Sequence, residues 1–155
     1  MLELLWRQVA QRSSEYVAFQ FNLGFLIWVQ INGTRAGAPP TGGGANIEMG
    51  GSNSDQLIEF VHSYDPRSWS CLHVAEGALS CNNVTVQNND IGPCGSDAFQ
   101  QWADGISVSC RSAVVRNNLV MDPTDGGIVV FGSPGTLVYN NTIWVVNVSH
   151  GYCMA

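Results

Sequence analysis

IEFVHSYD (58–65), VTVQNNDI (84–91), AVVRNNLV (113–120) and TLVYNNTI (136–143) are four versions of one segment, a run rich in aliphatic residues that ends in a polar pair. Aligned on that pair, at His62-Ser63, Asn88-Asn89, Asn117-Asn118 and Asn140-Asn141, they recur after 26, 29 and 23 residues. Self-similarity at a period of roughly 20–50 residues marks a solenoid. Alternation within VTVQ places Val84 and Val86 on one face at the two-residue period of a strand. No stretch of helical period separates the units, which excludes leucine-rich, ankyrin and helical solenoids. The expected fold is all-β, a parallel β-helix of about four to five coils, with the paired asparagines forming a ladder from coil to coil.

The composition agrees with stacked short strands and tight turns. Only 12% of the 155 residues are charged, and there are 17 glycines. Twelve acidic residues face six basic ones, all arginine. A duplex-binding protein needs clustered positive charge, so nucleic acid is not expected as a partner. A polyanionic ligand would require a bridging cation such as Ca²⁺.

The flanking segments read differently. Residues 1–16 space their leucines and Trp6 like an amphipathic helix, which suits either a cap on the solenoid end or a mis-called gene start, and they lack the apolar core of a signal peptide. Residues 17–31 are the most apolar stretch but too short and too interrupted to span a bilayer, so a buried strand and no membrane association are expected. The Gly/Pro-rich residues 35–51 read as a surface loop, a lip over a groove. Residues 17–155 then form one β-helix domain. The sequence ends inside a Gly-aliphatic strand, SHGYCMA, so a fragment truncated at its C-terminus is expected.

The five cysteines contain no C-x2-C pair, which argues against a sulfur-bound metal, and no metal site is expected. Cys81 and Cys110 each fall seven residues before an asparagine pair. Stacked strands lie roughly 4.8 Å apart, inside the Cα separation of about 4.4–6.8 Å that a disulfide tolerates. Either these two are bridged or they are two buried thiols in one slot. Sequons at Asn32, Asn83 and Asn147 fit a secreted glycoprotein, while a fourth at Asn140 belongs to an asparagine pair turned inward.

The NNxI turns followed by DGIS and GGIVVFG strands resemble the right-handed parallel β-helix proteins, the pectate-lyase-like group. DIGPCGSDAFQQWADGIS and DGGIVVFGSPGTLVYNNTI are similar, more narrowly, to an uncharacterised group of fungal and bacterial β-helix proteins, over about residues 55–150. The resemblance implies a secreted or cell-surface protein acting on a polysaccharide by hydrolysis or β-elimination. It implies a monomer if the ends are capped, and no cofactor unless a lyase recruits Ca²⁺. The N-x-D, D-D, G-H-G and R-I-K motifs of polygalacturonase-type hydrolases are missing in order, and with arginine alone and scattered acidic residues the chain departs from the pectate-lyase pattern too, so neither activity transfers residue by residue. A non-catalytic glycan-binding or structural β-helix, or an inactive fragment, stands as the alternative.

Candidate chemistry collects at one corner. Asp104 (WADGI) and Asp125 (TDGGI) precede equivalent strands in adjacent coils, with Asp122 three residues upstream of Asp125. Two such carboxylates lie roughly 5 Å apart if directly stacked, or farther if staggered; a close pair pushes one pKa up and can separate an acid from a base, and equally each Asp can accept hydrogen bonds from its own Asp-Gly turn. The second coil is longer by about six residues, through GPCGSDAFQQWA, which places Trp102, Asp97 and Phe99 on a projecting loop suited to wall a groove. His73 and Glu76 from the preceding coil, and Arg116, are added as substrate-binding candidates. His62, His150 and Arg111 are read as structural or surface residues.

Overall fold

The structure is a computed structural model that describes residues 19–20, 24–35, 44–74, 80–96 and 101–146. Five coils follow one another. The first is β1 (Phe19–Gln20), β2 (Phe25–Ile27) and β3 (Gln30–Asn32); the second β4 (Ala45–Met49), β5 (Leu57–Glu59) and β6 (His62–Tyr64). The third is β7 (Ser70–Val74), β8 (Thr85–Gln87) and β9 (Asp90–Ile91); the fourth β10 (Asp104–Val108), β11 (Val114–Arg116) and β12 (Leu119–Met121). The last is β13 (Ile128–Val130), β14 (Leu137–Tyr139) and β15 (Thr142–Trp144). Equivalent strands stack in parallel into three five-stranded sheets: A (β1-β4-β7-β10-β13), B (β2-β5-β8-β11-β14) and C (β3-β6-β9-β12-β15). The protein is a parallel β-helix, and no helix occurs among the described residues.

Stacking in register puts like residues on like. Ile47, Leu72 and Ile106 form one interior column from sheet A, and Leu26, Ile58, Val86 and Val115 form another from sheet B, all of them buried. Sheet C contributes Ile31, Ser63, Ile91 and Val120. The buried Ser63 hydroxyl donates to the Cys71 carbonyl at 2.9 Å.

Sheets B and C meet at a two-residue corner whose first residue is left-handed in every coil, at Trp28, Phe60, Asn88, Asn117 and Asn140, with φ between 54° and 57°. Asparagine tolerates this region better than other residues with a Cβ. Register therefore corrects the alignment of the first repeat. Ile58 pairs with Val86 and Glu59 with Gln87, so the counterparts of Asn88-Asn89 are Phe60-Val61, not His62-Ser63, which lie on β6. The corner demands a backbone state rather than a polar side chain. Where asparagine is absent, Trp28 and Phe60 stack instead, ring centroids 4.4 Å apart.

The second asparagine of each pair points inward and builds the ladder. Asn118 Oδ1 accepts from the Asn89 backbone N–H (3.1 Å) and from Asn89 Nδ2 (2.9 Å), and Asn118 Nδ2 donates to the Val86 carbonyl (3.0 Å) and to Asn141 Oδ1 (2.9 Å). Asn89 repeats the pattern on Val61 N–H and the Ile58 carbonyl.

Cys81 and Cys110 are disulfide-bonded across adjacent coils, their Cα atoms 4.9 Å apart. A second bridge joins Cys71, on β7, to Cys94 in the long connection between β9 and β10. Repeat alignment could not find it, because Cys94 lies inside the irregular insertion. The Cys81–Cys110 bridge spans 29 residues, and closing a loop of that size in the unfolded chain contributes about 3.5 kcal/mol. The Cys81→Ala/Cys110→Ala double variant is expected to lose that amount in denaturant unfolding, with an m-value that reports the changed unfolded state.

Two expectations for the flanks need correction. Residues 17–31 do not form one buried strand. Their described part is divided among β1, β2 and β3 with a corner at Trp28, and Phe25 and Trp28 are exposed while Leu26 and Ile31 are buried. Residues 35–51 are not all surface loop: Ala45–Met49 is a full sheet A strand with Ile47 completely buried, and Arg35 is 3% exposed. Their Gly/Pro content hid an alternating core under turn composition. Residues 1–16, proposed as a cap helix, lie outside the described residues.

Candidate functional site

Sheet A offers an outer face on which three coils place polar side chains side by side. The register sets Glu48, His73 and Ser107 in one row and Ser70 beside Asp104 in another. The two rows are joined by hydrogen bonds: the Ser107 hydroxyl donates to Asp104 Oδ2 at 2.7 Å, and the Ser70 and Ser107 hydroxyls lie 3.2 Å apart. His73 Nδ1 is 3.5 Å from Glu48 Oε1. Over this patch lies a cleft of about 330 Å³, lined by Trp69, His73, Asp104, Ser107, Val129 and Phe131 among others. Trp69 is 61% and Phe131 75% exposed, which leaves both rings available to a ligand.

Asp104 is the carboxyl group among the described lining residues of the cleft. Burial pushes its pKa up, and the neighbouring charge of Asp125 pushes the same way; hydrogen bonds from Ser107 and from the Gly126 backbone N–H, with the nearby His73, oppose the shift without cancelling it. The Gly126 contact, 2.8 Å to Oδ1, depends on glycine: a Cβ at 126 would lie 2.2 Å from Val129 Cγ2 and 2.9 Å from Asp104 Oδ1.

The remaining candidates are distributed differently from the sequence alignment. Of the two arrangements open to Asp104 and Asp125, the register gives the staggered one. Ile106 pairs with Ile128, so Gly126 stands opposite Asp104, and the Asp125 N–H donates to the Ala103 carbonyl. The extra glycine in TDGGI causes this one-residue offset. Asp125 is exposed beside the cleft, and its charge reaches Asp104. Asp122 follows β12, and its Oδ1 accepts the Val146 N–H, a turn contact away from the cleft. Trp102 is 44% exposed but does not line the cleft.

Arg116 is on the outer face of sheet B. Its Nε donates to Gln87 Oε1 at 2.8 Å and its Nη1 to the Tyr139 hydroxyl at 3.1 Å, extending a ladder from Glu59 through Gln87. It is therefore not brought to the cleft. Asp97, Phe99, Glu76, Asn147 and His150 lie outside the described residues.

Trp69, Glu48, Phe131 and the serine pair were missed. Trp69 occupies the position immediately before a sheet A strand, equivalent to Ala103 and Asp125, so correct register was the signal that could have found it. Among the sequons, Asn32 and Asn83 are exposed, the first holding the Thr34 N–H and the second donating to Asp55. Asn140 is also exposed and its neighbour Asn141 is the inward member, so that sequon is not turned into the core. Among the described residues no three His, Cys, Asp or Glu side chains converge to hold a metal ion.

A three-sheet parallel β-helix with a polar, aromatic-rimmed cleft on one outer face defines the class of this protein. The chain belongs to the family described as the right handed beta helix region, which matches residues 47–153. No curated protein and no solved structure matches it.

Proposed function

We propose that this protein is a carbohydrate-active β-helix that seats a polysaccharide strand across the sheet A cleft and cleaves it by hydrolysis or β-elimination. The observation that carries this reading is a carboxyl group with a raised pKa, Asp104, beside the Glu48–His73 pair and two exposed aromatic rings. In hydrolysis, protonated Asp104 gives its proton to the glycosidic oxygen, and the C1–O bond breaks with its electron pair remaining on that oxygen. Water adds to C1 and passes its proton to His73, whose orientation Glu48 sets. In elimination His73 instead removes the C5 proton of a uronate, and Asp104 protonates the leaving oxygen to give an unsaturated product. Trp69 and Phe131 act as stacking platforms for the C–H faces of the sugars. Two disulfides suit an oxidising compartment and support a secreted or cell-surface location.

A second reading, glycan binding without turnover, is favoured by the fact that both Asp104 oxygens already accept hydrogen bonds within the protein. Reducing-end release and the absorbance of unsaturated uronates, measured over a glycan panel, separate the two: binding with neither product supports the second reading and ends the first. Trp69→Ala is expected to weaken binding by about 1 kcal/mol, roughly fivefold, in affinity electrophoresis. An unchanged migration shift would remove Trp69 from the site.

A further inference from the structure

We infer that the strand accepted by the sheet A cleft is an uncharged glycan, or one whose uronates are esterified, and not a free polyuronate. This rests on the polysaccharide reading above and narrows its substrate class. Among the described residues, the cleft and its immediate border carry three carboxyl groups, Glu48, Asp104 and Asp125, and one group that can become positive, His73. None of the described arginines lines it. Arg116 is committed to Gln87 and Tyr139 on sheet B, Arg35 is buried with its Nε on Gln101, and Arg67 and Arg111 are not among the lining residues. The chain contains no lysine, and the described residues hold no convergent metal-ligand set.

A polyuronate repeats its carboxylate at every sugar, so a bound strand would bring like charges against Glu48 and Asp125 at the border of the cleft, with no guanidinium or ammonium group among the described lining residues to receive them. Elimination from a free uronate has the further need of a cation on the substrate carboxylate, and the described lining residues supply none. The rest of the lining, chiefly Trp69, Val129 and Phe131, offers apolar surface that fits the C–H faces of uncharged pyranose rings.

Homogalacturonans of one chain length and graded methyl esterification are the direct test, because charge is the variable that changes along the series. Binding to the full chain by affinity electrophoresis is expected to strengthen at least tenfold from the free acid to the full ester. Raised salt is expected to recover part of the loss for the free acid, since screening weakens repulsion. Glu48→Gln is expected to narrow the difference. Tighter binding of the free acid overturns the inference and leaves the polysaccharide reading intact. Failure to bind the ester, the free acid and a panel of neutral glucans, xylans and mannans alike ends both.

Discussion

Asn118→Ala is expected to cost about 4 kcal/mol, enough to leave a marginal fold largely unfolded at physiological temperature. Asn118 is 2% exposed and its amide serves four partners. Alanine strands the Asn89 backbone N–H and one Asn89 amide hydrogen, and removes one donor each from the Val86 carbonyl and from Asn141 Oδ1. Each buried polar group left without a partner costs about 1–3 kcal/mol, and a domain is stable by only about 5–15 kcal/mol.

The neighbouring Asn117 is exposed and holds the left-handed corner, so Asn117→Gly is expected to be nearly neutral in the same urea titration. Asn118→Asp sharpens the contrast. Its second oxygen would face two acceptors, the Val86 carbonyl and Asn141 Oδ1, so the folded state raises its pKa. Stability is then greatest below the unfolded pKa and is lost as pH rises through the folded one. Equal losses at positions 117 and 118, or an aspartate variant without that pH dependence, would count against the ladder.

The ladder was legible in the sequence because it rests on a local rule: one residue type, at one corner, at a solenoid period. The stacking of successive coils and the Cys81–Cys110 contact followed from the same rule. Legibility failed where a backbone requirement could be met by unrelated side chains. Phe60 occupies the corner state of Asn88, and a search for polar pairs therefore slid the first repeat by two residues. It failed again where a single inserted residue changed the register, as Gly126 does between Asp104 and Asp125. The cleft needs the register of three coils to be right simultaneously. Asp104 and His73 could be named from their own strands. Glu48 sat in a segment read as loop, and Trp69 stood one residue outside a strand whose alignment was not known.

Asp104→Asn is expected to reduce polysaccharide turnover about 10²–10⁴-fold, the usual contribution of a positioned proton donor, while leaving stability at neutral pH unchanged or higher. The two effects separate because the geometry survives the substitution. The amide oxygen of the variant side chain can still accept the Gly126 N–H, and the Ser107 hydroxyl can turn to accept from the new amide nitrogen in place of donating to the carboxylate Oδ2. What disappears is an ionisable group whose pKa burial has raised above its ordinary 3.8. A raised folded pKa contributes stability that is fully present below the unfolded value and is lost as pH rises through the folded one. The variant's stability should therefore vary less with pH across that window than the wild type's. In kinetics the wild-type kcat/KM should fall as pH rises through the same raised pKa, because the acid must be protonated to donate, and that limb should vanish in the variant's residual activity. Gly126→Ala perturbs the same carboxyl without removing it, by pushing a Cβ against Asp104 Oδ1 and Val129. It should shift the position of the limb rather than abolish it. Full turnover by Asp104→Asn, with the alkaline limb intact, would reduce Asp104 to a turn residue and transfer the proton-donating role to another group in the cleft.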